Sequence, residues 1–236
     1  MVEFQKSSLS TNQTRVLLLP GLDGTAALFQ RFIAAAPSHL TLIPIPLPHE
    51  GLSYSELADS IAARVPDEPS VIVAESFSGP IAIAVTTRRP VKALILCNSF
   101  VTAPTFKCLR WFVTPRLFRR PMPEYLLRRY LVGRSADAAL VRDVAATVAS
   151  VRGEILSARL RLVLEMNETA TFARCVVPTL YLRSSDDRIV PDSAWRRMAS
   201  LRPMSTARVP GPHLLLQANP DRAWPVITAF LDECGV

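Results

Sequence analysis

One serine stands where a nucleophile is easily built. In Val71-Ile72-Val73-Ala74-Glu75-Ser76-Phe77-Ser78-Gly79-Pro80 a β-branched run leads into Ser76, and a helix-compatible run, residues 81–87, leaves it. A hydroxyl at the apex of a sharp strand-to-helix turn is lifted clear of the sheet. Such a turn strains the backbone, so the positions two before and two after the serine must be small; they are Ala74 and Ser78. The turn also sets the Phe77 N–H at a helix start, where it can meet a developing oxyanion.

A serine nucleophile needs a base, and the base an orienting acid. His213, one of three histidines, follows Gly211-Pro212, and Asp186 and Asp187 lie in Ser184-Ser185-Asp186-Asp187-Arg188-Ile189-Val190-Pro191. A turn acid or a loop histidine alone is ordinarily a solvated surface residue. Here serine, acid and histidine follow in that order, each past the carboxyl end of a predicted strand, the edge where open α/β sheets build sites. Pro20-Gly21-Leu22, after an earlier strand, is the expected source of a second oxyanion N–H. Glu75 beside the serine reads first as a buried, hydrogen-bonded structural acid, and His49 as an exposed loop residue.

The elements that must position these groups follow from periodicity. Residues 15–19, 40–45, 71–73, 91–96, 179–183 and 207–209 read as strands. Helical patterns cover 26–36, 53–65 (opened by the capping box Ser53-Tyr54-Ser55-Glu56), 81–87, 193–201 and the stretch from Asn219-Pro220. The alternation predicts an α/β fold: a mostly parallel sheet of about six strands with helices on both faces. The first 13 residues are polar and hold at most a short edge strand, so the N-terminal strands are reduced. Alternation stops after residue 100. Residues 101–172 are helix-like and strand-poor, with helices at 124–132, 137–151 and 154–165. The expected division is a core of 1–100 and 173–236 with a helical insertion, 101–172.

Composition sets the frame. With 236 residues, 49% hydrophobic, the chain is long enough for a sizeable core. Its net charge of +7 favours anionic partners. Four cysteines without C-x-x-C spacing, and a start lacking a basic-then-apolar leader, read as a reduced cytoplasmic chain with buried thiols. No stretch is apolar enough for a transmembrane span, and histidine and cysteine spacing suggests no metal.

These residues resemble the α/β-hydrolase superfamily over nearly the whole chain beyond the first dozen. The resemblance rests on Leu19-Pro20-Gly21-Leu22-Asp23-Gly24-Thr25, Glu75-Ser76-Phe77-Ser78-Gly79-Pro80, Asp187-Arg188-Ile189-Val190-Pro191 and Gly211-Pro212-His213. Within the superfamily the chain is most similar to small bacterial carboxylesterases of the pimeloyl-[acyl-carrier protein] methyl ester esterase type. Its Pro-Gly-Leu-Asp-Gly-Thr loop is also similar to plant phytyl ester synthases. The resemblance implies Ser76 as nucleophile, Asp187 in preference to Asp186 as acid, His213 as base, and the backbone N–H groups of Leu22 and Phe77 as oxyanion hole. The insertion becomes a cap over the pocket. Two departures stand out: Ala74 and Ser78 replace the elbow glycines, and Pro20 and Asp23 stand where many members have His-Gly-x-Gly. The implied activity is a serine carboxylesterase acting on a small or medium acyl ester through an acyl-enzyme, without metal or cofactor. The methyl ester of pimeloyl-[acyl-carrier protein], a biotin-biosynthesis substrate, is one such ester. A lipid-directed lipase or acyltransferase, a thioesterase or lactonase on the same triad, and a ligand-sensing protein of this fold remain open.

The insertion has its own signature. Lys107, Arg110, Arg116, Arg119, Arg120, Arg128, Arg129 and Arg134 are opposed only by Glu124, with Trp111, Phe112, Leu117, Phe118, Tyr125 and Tyr130 interleaved. Three readings compete: a solvated basic face, peripheral contact with a membrane surface, and, by the resemblance, docking of an acidic carrier protein or its phosphopantetheine arm through Arg119, Arg120, Arg128, Arg129 and Trp111. No nucleic-acid motif accompanies the charge.

Overall fold

Buried on both faces, continuous apolar runs pair most readily as parallel strands; among the described residues the central strands are such runs, and the two edge strands are more exposed. The computed structural model describes residues 14–49, 53–105 and 107–236. Strands β1 (Thr14–Leu19), β2 (Leu40–Pro44), β3 (Ser70–Glu75), β4 (Val91–Cys97), β5 (Thr179–Ser184) and β6 (Ser205–Val209) form one sheet in the order β2-β1-β3-β4-β5-β6. Every pairing is parallel. The chain runs outward from β1 to β2, then crosses back to β3 and builds in the other direction. The reversal falls between β1 and β3, the place where such sheets bind ligands. Leu19 of β1 lies opposite Ala74 of β3, so the loop after Leu19 and the turn at Ser76 leave the sheet side by side.

Around the sheet run α1 (Gln30–Ala34), α2 (Tyr54–Ala62), α3 (Ser78–Val85), α4 (Glu124–Leu127), α5 (Ala138–Ser150), α6 (Gly153–Glu165), α7 (Thr169–Ala173), α8 (Asp192–Leu201), α9 (Leu215–Ala218) and α10 (Pro220–Glu233). Side chains alternate between faces along each strand. Leu17, Leu19, Ile72, Ala74, Leu94 and Leu96 pack with Leu57 and Ile61 of α2 and with α3. Val16, Leu18, Val71, Val73, Ile95 and Cys97 pack with Phe32, Trp224 and Ile227. Trp224 stacks on Phe32 at 4.2 Å and donates its indole N–H to the Phe32 carbonyl at 2.8 Å, which satisfies the one polar atom that its burial would otherwise strand.

The expected elements are present with local differences. The capping box opens α2, where Ser53 Oγ accepts from Glu56 N–H at 3.2 Å. Asn219 does precede Pro220, but its side chain donates to the Pro210 carbonyl and leaves the helix uncapped. The 124–132 helix is α-helical only to Leu127; Arg128–Val132 widens into a π-helix and ends at Gly133, φ +84°. Between β4 and α4, short 3₁₀ turns cover Lys107–Phe112 and Pro115–Phe118, which no helical period announced. Cys97 and Cys175 are buried as expected, whereas Cys108 is exposed and Cys234 half-buried: one lies on an outward 3₁₀ turn, the other at the end of the last helix. The edge strand suggested for the first 13 residues lies outside the described residues. Among the described residues no helix is long and apolar enough to cross a membrane.

Candidate active site

Ser76 sits directly after β3 with φ +48°, a conformation costly for a residue with a Cβ. Several bonds hold it there. Its N–H donates to the Cys97 carbonyl at 2.8 Å, and its carbonyl accepts from Gly79 N–H at 3.1 Å and from Ser99 Oγ at 2.8 Å. Tyr181 then fixes Ser99 by donating to its carbonyl at 2.6 Å. Gly79 must be glycine for this arrangement, since a Cβ there would fall 1.7 Å from Ser99 Oγ. Ser78 is more than small: its hydroxyl donates to the Pro20 carbonyl, tying the turn to the loop after β1.

Asp187 and His213, the expected acid and base, follow the ends of β5 and β6. His213 Nε2 lies 3.1 Å from Ser76 Oγ, and its Nδ1 lies 3.0 and 2.9 Å from the two Asp187 oxygens. An ionised carboxylate can only accept, so Nδ1 carries the proton of the neutral ring and Nε2 is left to accept from the serine hydroxyl. Asp187 is aimed by its own loop, with Oδ1 accepting from Ile189 N–H at 2.8 Å and Val190 N–H at 3.0 Å. Asp186 points elsewhere, is exposed, and takes a bond from Ser185 Oγ. Burial opposes charge on His213, but the attraction of Asp187, its hydrogen bond and the nearby Glu75 outweigh this and raise the imidazole pKa above its ordinary value.

Two residues that sequence reasoning did not single out complete the frame. Asn98, buried at the end of β4 with φ +46°, donates to the His213 carbonyl at 2.6 Å and accepts from Ser184 N–H at 2.8 Å. It fastens the histidine loop to β4 and β5. Arg159 of α6, only 4% exposed, donates to the carbonyls of Leu22 at 2.9 Å, Asp23 at 2.6 Å and Pro48 at 3.0 Å. Its guanidinium fills the space beside Gly24, where a Cβ would approach within 2.2 Å. The backbone N–H groups of Leu22 and Phe77 have no protein acceptor among the described residues.

Glu75 is 2% exposed. Its Oε2 accepts from Gln217 Nε2 at 2.9 Å, while Oε1 has no partner. Burial pushes its carboxyl up to about 7, against the opposing pull of His213 and the Gln217 bond. His49 is exposed.

The five insertion residues expected at a partner site do not form one group. Arg128 is engaged internally, with Glu124 at 2.8 Å and the Ala136 carbonyl at 2.6 Å. Arg128 and Arg129 line a cleft of about 620 Å³ together with Arg134, Arg188 and Arg222 and with Asp137 and Asp186, beside Gly211 and Pro212. Trp111, Arg119 and Arg120 are exposed and take no part in that cleft.

A family model described as the alpha/beta hydrolase family matches residues 16–224. No curated protein matches the chain. Among solved structures, MenH from S. aureus superposes with a TM-score of 0.79 at 15% identity, covering 97% of each chain. A thermophilic esterase from Thermogutta terrifontis, with malate bound, gives 0.78 at 20% identity over 95% of this chain and 92% of its own. The enol-lactonase from Burkholderia xenovorans LB400 gives 0.77 at 14% identity, covering 94% and 92%. At these identities the likeness is one of fold.

Proposed function

We propose that this chain, which belongs to the alpha/beta hydrolase family, hydrolyses carboxylic esters through an acyl-enzyme on Ser76. The observation that carries the reading is the hydrogen-bonded line from Asp187 through His213 to Ser76 Oγ, with 2.9–3.1 Å between partners. In this reading Oγ attacks the ester carbonyl as its proton passes to Nε2 of His213, and Asp187 steadies the imidazolium. The N–H groups of Leu22 and Phe77 receive the oxyanion; one such donor is worth about 10²–10³ in rate. Collapse expels the alcohol, which takes the proton from His213. Water, deprotonated by the same imidazole, then releases the acid and restores Ser76.

A small or medium acyl group is the substrate class. The narrower substrate is the methyl ester of pimeloyl-[acyl-carrier protein], favoured by the cleft beside Gly211 and Pro212, whose arginines outnumber its two aspartates, Asp137 and Asp186, and suit an anionic carrier. One experiment tests both levels. Wild type and Ser76→Ala are assayed on esters, thioesters and lactones of graded acyl length, with one carrier-protein-bound methyl ester included. The expected result is loss of all turnover in Ser76→Ala. Unchanged turnover in that variant overturns the mechanism, and a carrier-bound ester that is cleaved no faster than its free counterpart overturns the narrower substrate.

A further inference from the structure

Residues 105–123 contain five Lys and Arg and no Asp or Glu. The inner side of this stretch is fixed to α6. Val113 is 5% exposed, and its carbonyl accepts from Arg161 Nε at 3.0 Å and from Arg161 Nη2 at 2.7 Å. Pro115 lies so close to Gly153 that a Cβ there would fall 2.8 Å from the Pro115 carbonyl. With the backbone held in this way, the large apolar side chains face water: Trp111 is 74% exposed, Phe112 77% and Leu117 60%. Among the described residues Arg116, Arg119 and Arg120 have no carboxylate partner; Arg110 alone is paired, with Glu165, and lies over the Trp111 ring at 4.6 Å.

Exposed aromatic and aliphatic side chains grouped in this way mark an interaction surface. We infer that this face docks on an anionic lipid surface. Tryptophan and phenylalanine partition into the boundary between headgroups and acyl chains, and the arginines draw anionic headgroups. Trp111, Phe112 and Leu117 call for an apolar layer and Arg116, Arg119 and Arg120 for an anionic one; the headgroup–acyl boundary of an anionic bilayer supplies both side by side. The face shares no residue with the arginine-lined cleft. The same helix, α6, also carries Arg159, which grips the Leu22–Asp23 backbone.

The test is sedimentation of the full chain with vesicles of phosphatidylcholine alone and of phosphatidylcholine with an equal part of phosphatidylglycerol. The chain pellets with the mixed vesicles, less so as salt rises. Each arginine contributes about fivefold in affinity, so Arg119→Ala with Arg120→Ala binds roughly 25-fold more weakly. Phe112→Ser with Leu117→Ser loses binding at an unchanged Tm. Ser76→Ala binds as wild type does, so a failure of docking and a failure of the esterase chemistry are read separately. Docking is overturned if wild type ignores the mixed vesicles, if both patch variants pellet as wild type does, or if the patch binds an acidic carrier protein and no vesicle.

Discussion

Replacing Glu75 by Gln tests the electrostatics beside the serine most directly. The carboxyl is buried with Oε1 unpartnered, and its pKa is pushed to about 7 from an ordinary 4.5. Between these values the folded chain holds a proton that the unfolded chain has released, so stability falls as pH rises through the window and is level above it. The gap corresponds to ~3 kcal/mol at pH 8. Glutamine keeps an oxygen for the Gln217 amide and carries no charge to desolvate. Glu75→Gln is therefore expected to gain up to about 3 kcal/mol at pH 8 and nothing at pH 4.5. Urea denaturation at a series of pH values measures this, with ΔΔG rising along the pH axis. There is a cost at the site. The Glu75 charge helps to raise the His213 pKa, so its loss lowers that pKa and moves the acid limb of kcat/KM to lower pH. A ΔΔG that is flat with pH, or an acid limb that stays in place, would refute the assignment of Glu75 as a buried titrating neighbour of His213.

Arg159→Lys keeps a charge but cannot serve three carbonyls at once. The Leu22 N–H is then poorly aimed, and kcat is expected to fall ~10²-fold with little change in KM; added guanidinium at low concentration should partly restore Arg159→Ala, and a loss confined to KM would count against the positioning role. In Gly79→Ala the new methyl falls 2.7 Å from Ser99 Cβ as well as on its hydroxyl, so urea melts should show a loss of about 1–3 kcal/mol. The second change Ser99→Gly removes the clash together with the hydroxyl bond to the Ser76 carbonyl, so Gly79→Ala should cost less in the Ser99→Gly background than in wild type; an equal cost in both would place the strain elsewhere.

The parts of the site that were legible in the sequence are those set by local backbone chemistry. A strand that must end in a strained turn needs small residues around Ser76, and Ala74, Ser78 and Gly79 announced it. An acid and a histidine meant to act across a parallel sheet must leave it at carboxyl ends; the strand pattern placed His213 and the pair Asp186 and Asp187 there, and the family resemblance chose Asp187 of the two. The fold followed for the same reason, because buried parallel strands are continuous apolar runs. The 3₁₀ turns of the insertion were not legible, since they follow contact with α6 and no period of their own.

The supports of the site belong to neither class, yet they left a trace. Arg159 and Asn98 act by donating to backbone carbonyls that are remote in sequence: Arg159 reaches Leu22, 137 positions away, and Asn98 reaches His213, 115 away. Carbonyls are carried by every residue, so no partner type could be searched for. The donors themselves are conspicuous. Ile155, Leu156 and Val163 define the buried stripe of α6, and Arg159 stands three and four residues from them, inside that stripe. Asn98 directly follows five buried residues of β4. A polar group that helical or strand spacing drives into an apolar face must find a partner or cost several kcal/mol, and a loop bent too sharply to pair its own carbonyls offers one. Here both of the loops so held, Leu22–Gly24 and the one carrying His213, are those that the proposed reaction requires to stand still. The buried arginine and asparagine are thus the sequence's own marks of where rigidity is needed, readable once the apolar stripes have been drawn.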